Sequence, residues 1–184
     1  MAKRRSVINE VSILSKLKSH FIVQYFDSWI EEVVDNELII ERIYLQMELC
    51  QTNLKFITNE ILANIRSFKS FNFFISCELF RELVKALNYL HLNNIIHKNL
   101  TPENVLISDL GIKGVFLKLS DFGFETIHEL SQQRPMVGTD SYIAPEVQFG
   151  QNHSLKSDIY SLAIIGTEIF NFGEKVSNKD QKDL

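Results

Sequence analysis

The stretch HKNLTPEN at residues 97–104 decides how this sequence is interpreted. An amphipathic helix is predicted just before it, ending near Asn93-Asn94. The apolar stripe of that helix consists of Leu79, Leu83, Leu87 and Leu90. Two short apolar strands at 105–107 and 115–119 follow around a glycine turn, and the tripeptide DFG then occupies 121–123. The sequence thus runs in the order helix, polar loop, hairpin, DFG.

Working outward, the pattern predicts a mixed domain. Val7, Val11, Leu14 and Leu17 recur at helical spacing. Strand-like runs at 22–30 and 37–49 follow, with a polar turn between them formed by Glu31, Glu32, Asp35 and Asn36. Residues 121–146 have no sustained period and are predicted to be a long loop, a length typical of functional segments. A buried helix is predicted at 159–170 and a polar tail at 173–184. Helices and antiparallel strands in this order favour the α+β class.

Composition sets limits on function. The 184 residues suit one domain, and 19 Lys+Arg against 23 Asp+Glu give a formal charge of −4. A weakly acidic chain argues against broad nucleic-acid or membrane binding. No apolar run reaches membrane-spanning length. Cys50 and Cys77 offer neither a disulfide framework nor metal-ligand spacing. A cytoplasmic protein is therefore expected.

Two further strings complete the pattern. Gly138-Thr139 and Tyr142 precede the tripeptide APE at 144–146, which closes the long loop. A catalytic loop, DFG and APE in this order resemble the signature of eukaryotic protein kinases. The resemblance implies a protein-kinase-like fold within 1–184 that is incomplete. It consists of a partial small lobe at about 5–49, a partial, mainly helical large lobe at 50–172 that lacks its last helices, and the tail at 173–184.

The resemblance also implies ATP and Mg²⁺ as cofactors. Asn104 and Asp121 match the two magnesium ligands, and oxygen ligands are what Mg²⁺ prefers. The proton-accepting aspartate of the family is replaced by Asn99, whose amide has no useful basicity. Thr101 stands where serine/threonine kinases usually carry a phosphate-clamping lysine, and Lys98 replaces an arginine. The metal site is thus expected to persist while the catalytic loop is degenerate.

The nucleotide site is expected at the junction of the two lobes. Met47, Glu48 and Cys50 resemble the hinge that meets adenine, and Leu106 would lie beneath the ring. Each apolar residue among them could equally be ordinary core. Glu10 resembles the helix glutamate that pairs with a strand lysine, but the residues before it leave no room for that lysine or for a glycine loop. Nucleotide binding by this chain is therefore doubtful.

The activation segment resembles that of the family as well. Thr139 fits the peptide-binding loop, and Tyr142 and Glu146 fit its end. The stretch 132–137 contains no Ser or Thr, so a phosphate switch just before Gly138 is excluded, whereas Thr126, Ser131 and Ser141 stay open as acceptors. The structural positions of the resemblance fall on His97, Phe122 and Asp158, the last of which would brace the catalytic loop.

Finer strings suggest a branch of the superfamily. FDSWIE at 26–31, LQMELC at 45–50 and LFRELVKAL at 79–87 look like the kinases that phosphorylate the alpha subunit of translation initiation factor 2, which act in stress responses. A protein substrate, a regulatory protein or a second kinase domain would be the partner. Three hypotheses stay open: a kinase of that branch, either impaired or active within a longer chain; a pseudokinase that serves as a binding or regulatory module; and a truncated product without function of its own.

Overall fold

A computed structural model describes residues 11, 15–35, 38–62, 69–108, 116–121 and 140–170. Val11, Ser15 and Lys16 are helical, and the rest of the predicted first helix lies outside these residues. Leu17 packs against the core, as its place in the apolar stripe predicts.

A long antiparallel hairpin comes first. Strand β1 (Tyr25–Asp35) pairs with β2 (Leu38–Met47), with Trp29 opposite Tyr44 and Val33 opposite Ile40. The rings of Trp29 and Tyr44 stack with their centroids 5.4 Å apart. Cross-strand pairs of aromatic and β-branched residues are what stabilise such a ladder.

The predicted turn at 31–36 is wrong in its first part. Residues 31–35 belong to β1, because Glu31 faces Arg42 across the ladder and Val33 and Val34 face apolar partners. Pairing with the apolar residues of the partner strand decides the local structure, and two adjacent glutamates do not interrupt it.

The helical part of the chain begins at Leu54, a few residues after the end of β2. A two-residue strand β3 (Thr52–Asn53) leads into α1 (Leu54–Phe56), which is capped by Asn53 and continues as a π-helical turn, Ile57–Leu62. Helix α2 (Lys69–Leu92) is the longest of the described residues. It ends where predicted, and Asn94 takes the left-handed conformation (φ 57°) that an asparagine tolerates after a helix.

Two short strands follow α2 and form a hairpin. Strand β4 (Val105–Ile107) pairs antiparallel with both β3 and β5 (Leu117–Leu119), as the sequence predicted for the hairpin. The segment just before β1 is fastened to β5, because Val23 N donates to Leu119 O at 3.0 Å and Leu119 N donates to Phe21 O at 2.8 Å. The β1–β2 hairpin is thereby attached to the helical part.

The last described segment ends in a helix that packs against α2. A 3₁₀ turn (Asp140–Tyr142) precedes helix α3 (Pro145–Gln148), and Ser154 begins α4 (Leu155–Ile169) with a capping box to Ser157. The predicted buried helix is confirmed and starts four residues earlier than expected because of this cap. Buried apolar residues from α2, β4, β5 and α4 form one core, among them Leu83, Leu87, Leu90, Val105, Leu117 and Ile165.

Candidate functional site

The catalytic loop is fixed by one buried carboxylate. Asp158, 1% exposed on α4, accepts hydrogen bonds from His97 N at 2.8 Å and Lys98 N at 2.9 Å. It also lies 2.8 Å from Nε2 of His91. Backbone N–H groups held by a carboxylate form charge-assisted bonds, which are stronger than neutral ones. Asp158 therefore anchors the backbone of the catalytic loop at residues 97 and 98. Lys98 takes a left-handed conformation there (φ 69°).

The catalytic loop is hydrogen-bonded to the residue that follows β5. Asn104 donates from Nδ2 to the backbone O of Asn99 at 2.9 Å, and Asn104 N donates to Thr101 O at 3.0 Å. Ser120 then donates to Asn104 O from both its backbone N (3.0 Å) and its hydroxyl (3.1 Å). Because Asp121 follows Ser120 directly, these bonds attach the segment that carries Asp121 to Asn104.

The oxygen atoms at this place are suited to a cation. The amide nitrogen of Asn104 donates to Asn99, so its amide oxygen is the atom that could face a cation. Asp121 is partly exposed and has φ 52°, a conformation that a non-glycine residue adopts only when its surroundings hold it. One carboxylate and one amide oxygen fit Mg²⁺ that takes its remaining ligands from phosphates and water. Among the described residues, no group of three or more His, Cys, Asp or Glu could hold a metal ion by itself.

Two of the departures from the kinase pattern, Asn99 and Thr101, concern the chemistry of this same loop. Asn99 is partly exposed and carries an amide at the proton-accepting position. Thr101 is only 5% exposed. A buried neutral hydroxyl at the phosphate-clamping position supplies no charge to a transferring phosphate.

His97 is completely buried between the loop and the core. Burial lowers its pKa to about 4, and the nearby Asp158 carboxylate only partly offsets this effect. The ring is therefore neutral near pH 7. It is a buried side chain of the catalytic loop.

The predicted hinge lies between β2 and β3. Met47 ends β2, and Gln51 N donates to Ile107 O at 3.1 Å. Leu106 pairs with Asn53 in the ladder that starts there. The structure thus joins the segment 47–51 to the strand that carries Leu106, and the adenine site stays a prediction. Cys50 is partly buried in this segment, and the neighbouring Leu49 is 92% exposed.

An ion pair that the sequence analysis missed joins this hinge to β5, the strand that leads to Asp121. Lys118 on β5 places Nζ 2.6 Å from the carboxylate of Glu48, and both side chains are largely buried, with 10% and 15% exposure. Glu48 also accepts from Gln24 N at 3.1 Å. A lysine inside an apolar strand is rarely buried without a partner. That rule was the available signal, since Lys118 stands between Leu117 and Leu119.

The end of the activation segment is hydrogen-bonded to helix α4. Tyr142 is 3% exposed, and its hydroxyl donates to Glu168 on α4. Ser161 donates to Tyr142 O at 2.7 Å. Glu146, in the first turn of α3, is partly buried, and its backbone O accepts from Gln151 N at 3.0 Å. The remaining predicted residues, Glu10, Phe122 and Thr139, lie outside the described residues.

The comparison with known families agrees with this architecture. A family model described as the protein kinase domain matches residues 1–184. The chain belongs to the protein kinase family. The antiparallel strands and helices confirm the α+β class predicted for an incomplete kinase fold, whereas its division into lobes stays a prediction.

Individual kinases resemble the chain at moderate identity. The Aurora kinase of Schizosaccharomyces pombe is 32% identical over 165 residues, covering 89% of this chain and 41% of the relative. The serine/threonine-protein kinase nekl-2 of Caenorhabditis elegans is 30% identical, covering 91% and 45%. The serine/threonine-protein kinase pakG of Dictyostelium discoideum is 34% identical, covering 87% and 12%. The chain therefore spans less than half the length of these relatives. In the part of the chain that the structure describes, no helix is both long and apolar enough to cross a membrane.

Proposed function

We propose that this chain is a serine/threonine kinase-like domain that keeps its magnesium ligands and transfers phosphate poorly or not at all. The observation that carries the proposal is Asn99. It stands at the proton-accepting position, and its backbone is bonded to the metal ligand Asn104. In this proposal the proton-accepting carboxylate is replaced by an amide, while the bond between Asn99 and Asn104 still orders the loop.

The expected loss follows from the chemistry. A positioned general base contributes about 10²–10⁴-fold in rate. That factor corresponds to roughly 3–5.5 kcal/mol of barrier. Thr101 adds to the loss, because a buried threonine cannot neutralise charge on the transferring phosphate. When bound, Mg²⁺ on the nucleotide phosphates would supply charge neutralisation. Asn104 and Asp121 would hold it, and Asp158 would keep their loop in place.

A binding or regulatory module is the second candidate. It is favoured by the contrast within one loop, where Asn104 and Asp121 are present and the residues at 99 and 101 are changed. A domain of this kind would bind a nucleotide with magnesium, or a regulatory protein, without turnover. The segment 47–51 and Leu106 would receive adenine, with Met47 as the gatekeeper and backbone groups of Glu48 and Cys50 as partners.

The finer assignment to the initiation-factor branch rests on the three local strings alone. The relatives reported above carry other names, and they do not support that branch. A translation-related substrate, a stress response and a kinase-domain dimer accordingly remain parts of the hypothesis. A cytoplasmic location is proposed with them, since Cys50 and Cys77 are not joined by a disulfide.

The test measures binding and transfer separately. Purified chain is titrated with a fluorescent ATP analogue, with Mg²⁺ and with EDTA, and is assayed for transfer of labelled γ-phosphate to itself and to a generic protein substrate. We expect no detectable transfer. Magnesium-dependent nucleotide binding that Asp121→Ala abolishes would favour the binding module. Robust magnesium-dependent transfer that Asp121→Ala abolishes would show that the chain is an active kinase.

A further inference from the structure

A lysine next to the hinge reaches the end of the activation segment. Lys55 lies in α1, and its backbone N donates to Pro102 O in the catalytic loop at 3.2 Å. Its side chain reaches the activation segment, where Nζ donates to the hydroxyl of Tyr142 at 3.3 Å. The ammonium also lies 5.8 Å from the centroid of the Tyr142 ring, within the range of a cation–π contact. One residue thus contacts both the catalytic loop and the activation segment.

Two carboxylates complete the network. The Lys55 ammonium lies 3.7 Å from Glu168 on α4 and 4.0 Å from Glu103 in the catalytic loop. Tyr142 donates its single hydroxyl proton to Glu168, so its lone pairs are available to the ammonium. Burial, followed by the bond to Glu168, raises the pKa of Tyr142, which keeps that proton in place. The chain of donors therefore runs in one direction, from Lys55 through Tyr142 to Glu168.

The sequence makes this network relevant to regulation. Protein segments of this kind are commonly ordered when an added phosphate pairs with arginine. Here 132–137 contains no Ser or Thr, and Lys98 stands in place of the arginine that would clamp a phosphate. A lysine lacks the two-pronged geometry of that contact. The described end of the segment is nevertheless packed, with Tyr142 buried.

We propose that Lys55 is a positioning residue that fixes the segment 140–150 to the catalytic loop by charge, without any phosphate on the protein. The fixed segment includes α3, whose amides are bonded in a compact turn: Phe149 N donates to Pro145 O at 3.0 Å and Gly150 N to Val147 O at 2.9 Å. The network also joins this turn to the residues that follow the hinge. This inference concerns the order of the segment and does not depend on whether the chain transfers phosphate.

Hydrogen exchange of the full chain tests the inference. The protein is purified free of phosphate, as verified by intact mass, and exchange is followed at the amides of Val147, Gln148, Phe149 and Gly150. Lys55→Met keeps the length of the side chain and removes its charge. Because exposed ion pairs are weak individually, we expect about fivefold faster exchange at these amides. Lys55→Arg should restore the wild-type rates to within about twofold, since it returns the charge.

Two comparisons separate this role from a merely structural one. Lys156→Met removes an exposed lysine of α4 and should leave the same amides unchanged. The central amides of α2, at 83–90, report global unfolding and should exchange at the wild-type rate in Lys55→Met.

Three results would overturn the inference. One is unchanged exchange at 147–150 in Lys55→Met, and another is equal acceleration in α2. The third is wild-type protein without phosphate that exchanges as fast as Lys55→Met and becomes protected once Ser or Thr is phosphorylated.

Discussion

Lys118 and Glu48 form a largely buried ion pair between the strand that leads to Asp121 and the predicted hinge, with 2.6 Å between ammonium and carboxylate. Removing one partner leaves the other charge buried and unpaired. Since each side chain keeps slight exposure, Lys118→Met is expected to lower the free energy of unfolding by about 2–3 kcal/mol. Urea denaturation followed by circular dichroism measures the loss.

Two variants sharpen this prediction. Lys85→Met removes an exposed lysine of α2 and should change stability by no more than about 0.5 kcal/mol. The double variant Glu48→Gln/Lys118→Met should lose less than Lys118→Met alone, because no unpaired charge remains. A double variant as unstable as the sum of the single variants would show that the two residues do not interact energetically.

His97 predicts a dependence of stability on pH. Its folded pKa, about 4, lies below the ordinary value of 6.5, so the unfolded chain binds the proton more readily. The contribution is complete above pH 6.5 and is lost as the pH falls toward 4. Over that range the loss is on the order of 3 kcal/mol. Urea denaturation at pH 7.5 and pH 5 should show about 2 kcal/mol of this loss, and His97→Gln should flatten the difference. An equally steep decrease in His97→Gln would assign the effect to other groups.

Gly166 marks the close approach of α4 to α2. A β-carbon at this position would lie 2.9 Å from Cε2 of Phe80. That ring packs edge-on against Phe170 at 5.7 Å and cannot withdraw easily. Overpacking costs about 1–3 kcal/mol, and the helix preference of alanine over glycine returns up to about 1 kcal/mol. Gly166→Ala should therefore destabilise the chain by about 1 kcal/mol, measured by thermal unfolding.

Phe80→Leu offers the matching control for that clash. In a Phe80→Leu background, Gly166→Ala should become neutral or stabilising, because the obstructing ring edge is gone. If Gly166→Ala destabilises both backgrounds equally, the contact with Phe80 is not the cause.

Asn99→Asp restores the carboxylate at the proton-accepting position. We expect no detectable recovery of phosphate transfer, because Thr101 still supplies no charge for the phosphate. Asn99→Ala serves as the control that lacks both amide and carboxylate. Transfer assays with Mg²⁺ compare the three proteins. Clear recovery by Asn99→Asp alone would mean that the lost base is the dominant defect.

The sequence predicted the parts of the fold that depend on periodicity and on short motifs. The end of α2 near Asn93 and the hairpin of β4 and β5 are examples. The boundary of β1 was wrong, because residues 31–35 are held by their partners on β2 rather than by their own propensities. The early start of α2 at Lys69 was also missed, since the apolar stripe becomes regular only from Leu79 onward.

Contacts between distant side chains were the hardest to anticipate. Glu48 was predicted to present its backbone to adenine, and nothing in its neighbourhood in the sequence indicated that Lys118 would hold its side chain. Lys55 and Glu168 are separated by more than a hundred positions and meet only because Tyr142 lies between them. Pairings of this kind are set by the packing of whole elements, which a single sequence does not display.

The stacking of Trp29 on Tyr44 has a spectroscopic consequence. Trp29 is the only tryptophan of the chain, and it lies in β1 with its ring stacked on Tyr44 of β2. Its fluorescence, excited at long wavelength, therefore reports the hairpin, whereas helical ellipticity reports α2 and α4. Coincident transitions by the two signals would identify the hairpin as part of one cooperative unit. An earlier loss of fluorescence would identify it as an appendage that opens first.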